Sequence, residues 1–175
     1  MQLKVSSSIV LTPLSTSHAL ELFEAVELSR NNLSQYMPWE KSVIDRESAE
    51  DYIDKRLNSG EEGAEWFAIN FKNKFGGVFA IKSINRNFST CELGYWLSDN
   101  ARGNRVIGQV LENAVPYLAN KQNISVIEFH CLESNAASIR IVERVGAKFQ
   151  SKIANILDVP HKEPSLCIYA LEVQA

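Results

Sequence analysis

The sequence predicts an α+β domain, with a mixed, mostly antiparallel sheet of about seven strands flanked by about four helices. Three observations carry this expectation. Residues 65–97 hold three strand-like runs, E-W-F-A-I-N-F, F-G-G-V-F-A-I-K-S-I and F-S-T-C-E-L-G-Y-W-L. Only the polar turns Lys72-Asn73-Lys74 and Asn85-Arg86-Asn87 separate them. Turns that short join antiparallel neighbours. Residues 88–132 then read strand, helix, strand, a unit that crosses over right-handed and pairs its strands in parallel. Two amphipathic helical stretches precede the meander, so helices and strands are segregated rather than strictly alternating.

Taken in order, Ile9-Val10-Leu11-Thr12 alternates and stops at Pro13, as a first strand does. Ser15-Thr16-Ser17 supplies helix caps, and Ala19, Leu20, Phe23, Val26 and Leu28 give an apolar stripe with Glu21, Glu24 and Glu27 facing water. Tyr36, Met37 and Trp39 around Pro38 form an aromatic corner, suited equally to plugging the core and to lining a substrate. Asp45 or Ser48 caps a second helix that ends at Asn58-Ser59-Gly60, and Ser48-x-x-Asp51 resembles a capping box. Gly76-Gly77 at the start of the middle meander strand marks a bulge. The later elements are a helix from Asn104 to Asn120, a strand from Ile124 to Leu132, and a helix capped by Ser134 or Asn135 and stopped at Gly146. Two closing strands, 147–153 and 165–173, are joined by a loop holding Asp158, Pro160, His161 and Pro164. Pro116 removes one hydrogen bond from the helix after Asn104 and is expected to kink its last turn.

Composition narrows the class. The chain of 175 residues is most simply one domain over 1–175, with 45% hydrophobic and 22% charged residues, as in ordinary globular proteins. A net charge of −3 disfavours non-specific nucleic-acid binding. No apolar run reaches membrane-spanning length, and Met1-Gln2-Leu3-Lys4 leads into serines rather than a signal-peptide core, so a cytoplasmic location is expected. Cys91, Cys131 and Cys167 are widely spaced within strand-like runs. That pattern fits neither a zinc site nor a disulfide framework, and buried thiols are expected.

The stretch from Phe88 to Val115 carries the chemistry. A strand ends at Ser98-Asp99-Asn100, turns around Gly103, and restarts as a helix. Unsatisfied backbone N–H groups and the helix dipole then converge on one spot, which suits a phosphate.

Four segments, in this order and spacing, resemble the GNAT N-acetyltransferase superfamily, in particular its ribosomal-protein branch. They are Leu33-Ser34-Gln35-Tyr36-Met37-Pro38-Trp39, Glu92-Leu93-Gly94-Tyr95-Trp96-Leu97, Arg102-Gly103-Asn104-Arg105-Val106-Ile107-Gly108, and Asn135-x-x-Ser138 with Glu143, Gly146 and Phe149. The resemblance implies acetyl-CoA as co-substrate and no metal. By position it assigns Trp96, Leu97, Arg102, Gly103, Asn104, Arg105, Val106 and Gly108 to the coenzyme, with Asn135 and Ser138 at its pantetheine arm and sulfur. Arg105 departs from the family pattern, which has glycine there, and is expected to point outward. Ser138 is the implied proton donor to sulfur and Glu92 the implied base, with backbone N–H groups near 95–97 as oxyanion donors.

The acceptor is read from Trp66 and Phe79. Each lies opposite the more apolar set of its own strand, so together they are expected to bracket a flat ring, with Tyr36 and Trp39 also lining the substrate. The chain also resembles the acetyltransferase domain of microcin C self-immunity proteins. That likeness implies a small aminoacyl-nucleotide acceptor and a protein acting as monomer or homodimer. The alternatives are N-terminal acetylation of a ribosomal protein and a non-catalytic acyl-CoA-binding module.

Overall fold

A computed structural model describes residues 3–155 and 165–173; the Asp158–Pro164 loop, with His161, lies outside the described residues. Eight strands form one sheet: β1 (Leu3–Lys4), β2 (Ile9–Pro13), β3 (Glu65–Phe71), β4 (Lys74–Asn85), β5 (Thr90–Leu97), β6 (Val126–Leu132), β7 (Lys148–Ala154) and β8 (Ser165–Glu172). Their order across the sheet is β1-β2-β3-β4-β5-β6-β8-β7. The helices are α1 (Ala19–Leu33), α2 (Arg46–Leu57), α3 (Val106–Gln122) and α4 (Ala136–Arg144). The fold is the expected mixed α+β arrangement, with the two-residue β1 added to the seven strands read from sequence. Only β5 and β6 pair in parallel.

Both faces of the sheet are covered, and this decides where side chains go. One face packs under α3 and α4 around Ile69, Phe79, Ile81, Leu93, Ile107, Leu111 and Phe129. The other packs under α1 and α2 around Leu22, Val26, Ile53, Phe75, Val78 and Trp96. The α1 stripe differs in phase from the sequence expectation. Leu22, Ala25, Val26 and Ser29 are buried, whereas Leu20 and Leu28 face water. The helix also runs to Leu33, into the segment read as part of the aromatic corner.

Asp45 caps α2, its carboxylate accepting from the Ser48 N–H at 2.8 Å while the Ser48 hydroxyl accepts from the Asp45 N–H at 3.0 Å. The capping box is therefore Asp45/Ser48 rather than Ser48/Asp51. The Gly76-Gly77 bulge is present: Ile69 pairs with Gly77 and Asn70 with Phe75, leaving Gly76 extra. Gly77 has φ 142°, and a Cβ there would sit 2.1 Å from the Trp96 carbonyl oxygen. No side chain fits so close a backbone approach. The α3 helix runs on through Pro116 to Gln122.

Candidate active site

The β5–β6 ladder stops halfway. Thr90 to Leu93 pair with Val126 to Phe129, and no pairing follows. On their outer sides both strands continue, β5 pairing with β4 as far as Leu97 and β6 with β8 as far as Leu132. The strands therefore part beyond Leu93, and their facing backbone groups from Gly94 and His130 onward have no ladder partner across the gap. An opening of this kind is a ready receptor for an extended, amide-bearing ligand.

The turn after β5 is braced from β4 and from α1. The Ser98 N–H donates to the Gly76 carbonyl at 2.9 Å, and the Asp99 N–H donates to the buried Ser29 hydroxyl of α1 at 2.8 Å. Asn32 adds a bond from its side-chain amide to Asp99 at 2.8 Å. The chain then passes Gly103 (φ 75°) and Arg105 (φ 54°), both left-handed, into α3. The first bond closing onto the helix runs from the Gln109 N–H to the Arg105 carbonyl at 3.1 Å. The amides of Val106, Ile107 and Gly108 precede it and remain available. Cβ atoms built on Gly103 or Gly108 would meet nothing within 4 Å, so the approach to these amides is open.

Arg105 does not obstruct that approach. Its side chain is 67% exposed and lies 3.9 Å from Glu112. The left-handed φ also gives a second physical reason for a glycine at this position, in addition to close approach of a ligand. Arg102 donates from Nε to the Leu97 carbonyl at 3.4 Å, and the Asn104 side chain donates to the Arg102 carbonyl at 2.8 Å. Val106 is buried and can offer only its backbone. The Trp96 ring is likewise buried on the α1–α2 side, where its indole N–H donates to the Tyr52 hydroxyl at 3.1 Å.

Two adjoining cavities meet at Leu97, Gly103, Ile107 and Ile141. One, of about 560 Å³, lies between α3 and α4 and includes Gly108, Arg144 and Val145. The other, of about 470 Å³, includes residues from both faces of the sheet at the β5–β6 gap. From the α3–α4 side come Tyr95, Cys131, Asn135 and Ser138; from the other come Tyr36, Trp39, Arg56, Trp66, Lys82 and Glu92.

Asn135 caps α4, its side-chain oxygen accepting from the Ser138 N–H at 3.2 Å. This fixes Ser138 in the first turn, with its hydroxyl 3.0 Å from the Tyr95 hydroxyl and 3.4 Å from the Cys131 sulfur. Burial raises the Tyr95 phenol above its ordinary value, against the opposing hydrogen bond from Ser138, and keeps it protonated. Burial likewise raises the Cys131 thiol. On the opposite side of the gap, Glu92 is ion-paired with Lys82, and His130 Nδ1 lies 3.8 Å from the same carboxylate.

Trp66 and Phe79 do not form a bracket. The register pairs Phe79 with Phe67 and Trp66 with Ala80, and paired residues share a face, so Trp66 and Phe79 lie on opposite faces. Phe79 is 2% exposed in the α3–α4 core, 6.4 Å centroid to centroid from Phe67, and is absent from the cavity wall. The expected bracket requires the less apolar sets of the two strands to share one face. Because helices cover both sides, that requirement fails. Trp66, Tyr36 and Trp39 do line the cavity, and so do Tyr95, Lys82, His130 and Arg56, to whose side chains the sequence reading gives no site role. An alternation count continued through Glu92, Gly94 and Trp96 would have set Tyr95 and Leu97 on the α4 side.

The chain belongs to the acetyltransferase (GNAT) domain family, whose model matches residues 8–148. It is an acetyl-CoA-dependent acetyltransferase of the GNAT type. Among its relatives is the ribosomal-protein-serine acetyltransferase of Escherichia coli (strain K12), 24% identical over 145 residues, which span 82% of this chain and 81% of that one. The fold is shared with RimL, a ribosomal L7/L12 alpha-N-protein acetyltransferase solved with coenzyme A (TM-score 0.89, 20% identity, 100% of this chain and 99% of that one). It is shared also with the microcin C7 self-immunity acetyltransferase MccE, solved with acetyl-CoA and AMP (TM-score 0.87, 20% identity, 98% and 96%). Among the described residues no helix is long and apolar enough to cross a membrane.

Proposed function

We propose that this chain acetylates the α-amino group at the N-terminus of a protein. One observation carries the reading. The cavity joins both sides of the sheet through the β5–β6 gap, with Ser138 and Tyr95 on one side and Glu92 and His130 on the other. An acceptor amine and a thioester can therefore meet from opposite faces, which is the positioning that acyl transfer needs. Phe79 faces the α3–α4 core, so the Trp66–Phe79 clamp for a nucleobase is not formed, and an extended peptide needs none. The Escherichia coli relative, a ribosomal-protein-serine acetyltransferase, supports the same choice.

Acetyl-CoA supplies the activated acetyl group. The open amides of 106–108 and the backbone around Gly103 would hold its pyrophosphate, and the unpaired edges of β5 and β6 would hold its pantetheine arm. Asn135 orients Ser138 through the α4 cap. Ser138, hydrogen-bonded to the protonated Tyr95, delivers a proton to the departing thiolate. Backbone N–H groups of 95–97 on the gap side receive the oxyanion. Glu92, held by Lys82, takes the amine proton through water with His130 beside it. An α-amino group of pKa about 7.7–8.0 needs only this modest help. A cytoplasmic protein acting as monomer or homodimer goes with the reading, since acetyl-CoA and new protein N-termini meet there.

A second reading is acetylation of an aminoacyl-nucleotide of the microcin C type. Arg56, a cation in the cavity wall with no carboxylate beside it among the described residues, favours it by suiting a phosphate. The test is release of free thiol from acetyl-CoA, with product masses, against N-terminal peptides beginning Ser or Ala and against aminoacyl sulfamoyl adenosines. Turnover of peptides alone supports the first reading; turnover of the adenosines alone replaces it with the second.

A further inference from the structure

Arg56 sits in the last turn of α2 inside a ring of aromatics. Its guanidinium carbon is 3.3 Å from the centroid of Tyr52 and 5.5 Å from those of Trp39 and Trp66. It donates one hydrogen bond, to the Tyr52 carbonyl at 3.0 Å. Among the described residues no carboxylate lies within ion-pair distance of it, while the neighbouring cation in the same wall, Lys82, is paired with Glu92. A guanidinium carries five N–H donors and stays charged in proteins. Burial works against that charge, lowering the Arg56 pKa, and the rings repay only part of the cost. A second donor in the same wall is also unanswered: the Trp66 indole N–H is buried with no acceptor. The guanidinium, whose hydrogen-bond acceptor is the Tyr52 carbonyl, and the Trp66 indole N–H, with no acceptor, adjoin a cavity open to an acceptor substrate, and their spare donors suit an oxygen-bearing partner.

The corner that carries Trp39 is built to hold. Arg30 of α1 donates to the carbonyls of Glu40 at 2.8 Å and Val43 at 2.7 Å and pairs with the Glu40 carboxylate at 2.7 Å. The aromatic ring around Arg56 is therefore a fixed feature of the acceptor side rather than a loose contact.

Resting on the reading of a protein N-terminus as acceptor, we propose that Arg56, framed by Trp39, Tyr52 and Trp66, is a specificity residue that binds the carboxylate of an acidic side chain near the acceptor's N-terminus. The amine enters the β5–β6 gap while the acidic side chain is held at Arg56. Planar, two-pronged donation is what separates a guanidinium from an ammonium at such a site.

The experiment compares initial rates on matched peptides beginning Ser, with Asp or Asn at each of the next positions in turn. The wild type prefers Asp over Asn at one position by about tenfold or more in kcat/KM, with the difference in KM. Arg56→Met keeps an apolar stem over Tyr52 and brings that ratio to about one, leaving the KM for acetyl-CoA within about threefold. Arg56→Lys, which keeps charge and loses the fork, recovers part of the preference and serves if the methionine variant does not fold. No Asp preference in the wild type, or the same preference in both variants, overturns the proposal. If no peptide turns over but aminoacyl sulfamoyl adenosines do, the N-terminal reading has failed. The carboxylate proposal falls with it, and a rise in KM for the adenosine in Arg56→Met would then assign the residue to a phosphate-like group.

Discussion

Replacing Phe79 with alanine separates the core from the substrate cavity. Phe79 is 2% exposed and packs with Ile9, Ile69, Ile81 and Leu111 in the layer under α3. Removing a ring so enclosed costs about 3–5 kcal/mol in lost burial and residual cavity. For a chain of this size about 1 kcal/mol corresponds to roughly 2–4 °C, so a fall of roughly 6–20 °C in Tm is expected. Trp66 is only partly buried and lines the cavity, so Trp66→Ala is expected to cost about 1–2 kcal/mol and to raise the acceptor KM by roughly three- to tenfold. The assay pairs thermal unfolding followed by far-UV circular dichroism with kinetics for each substrate. The acetyl-CoA KM should stay within about threefold in both variants. A Phe79→Ala protein as stable as the wild type with a raised acceptor KM would refute the assignment of Phe79 to the core.

Ser138→Ala is expected to lower kcat by about 100-fold, the low end for general acid catalysis, with little change in acetyl-CoA KM; thiol-release kinetics check this. Tyr95→Phe should lower kcat by a smaller factor that is constant from about pH 6 to 9, because burial holds the phenol protonated across that range. A factor that vanishes within that range would show Tyr95 titrating there. Alkaline stability is also set by burial. Cys91 is pushed up to about 12, and Cys131 and Tyr52 are raised as well. Stability is complete below the unfolded thiol value of about 8.5 and is lost as pH climbs toward the folded values. Urea midpoints should fall above about pH 9, and less steeply in Cys91→Ala. Arg105→Gly relieves a left-handed residue, worth about 1–2 kcal/mol, against about 0.4–1 kcal/mol of added unfolded-state freedom and an exposed ion pair worth under about 1 kcal/mol. Stability should therefore change by less than about 2 kcal/mol and the acetyl-CoA KM by less than about threefold; calorimetry and saturation kinetics read both. A tenfold change in KM would mean that the Arg105 side chain does engage the coenzyme.

Element type and order were legible in the chain because they rest on local signals. Apolar periodicity marked the four helices and seven of the strands, short polar turns marked the meander, Gly76-Gly77 marked the bulge, and Ser134-Asn135 marked the α4 cap. The turn from Ser98 to Gly108 was readable for the same reason, since orphan amides at a helix start follow from backbone geometry alone. Whether a strand residue faces substrate or core was not readable, because it depends on which helices cover each face. Alternation separates Trp66 from Phe67 within one strand. Only the register, Phe67 opposite Phe79, shows that the apolar sets of β3 and β4 face different layers. Tertiary structure alone likewise brought together residues remote in sequence. The parting of β5 and β6 set the Tyr95 hydroxyl 3.0 Å from that of Ser138, and the fold of α2 against β3 put Arg56 among three rings with no carboxylate beside it among the described residues. Local propensity determined the parts. Long-range packing, which no local pattern encodes, decided which of their side chains face one another across the cavity.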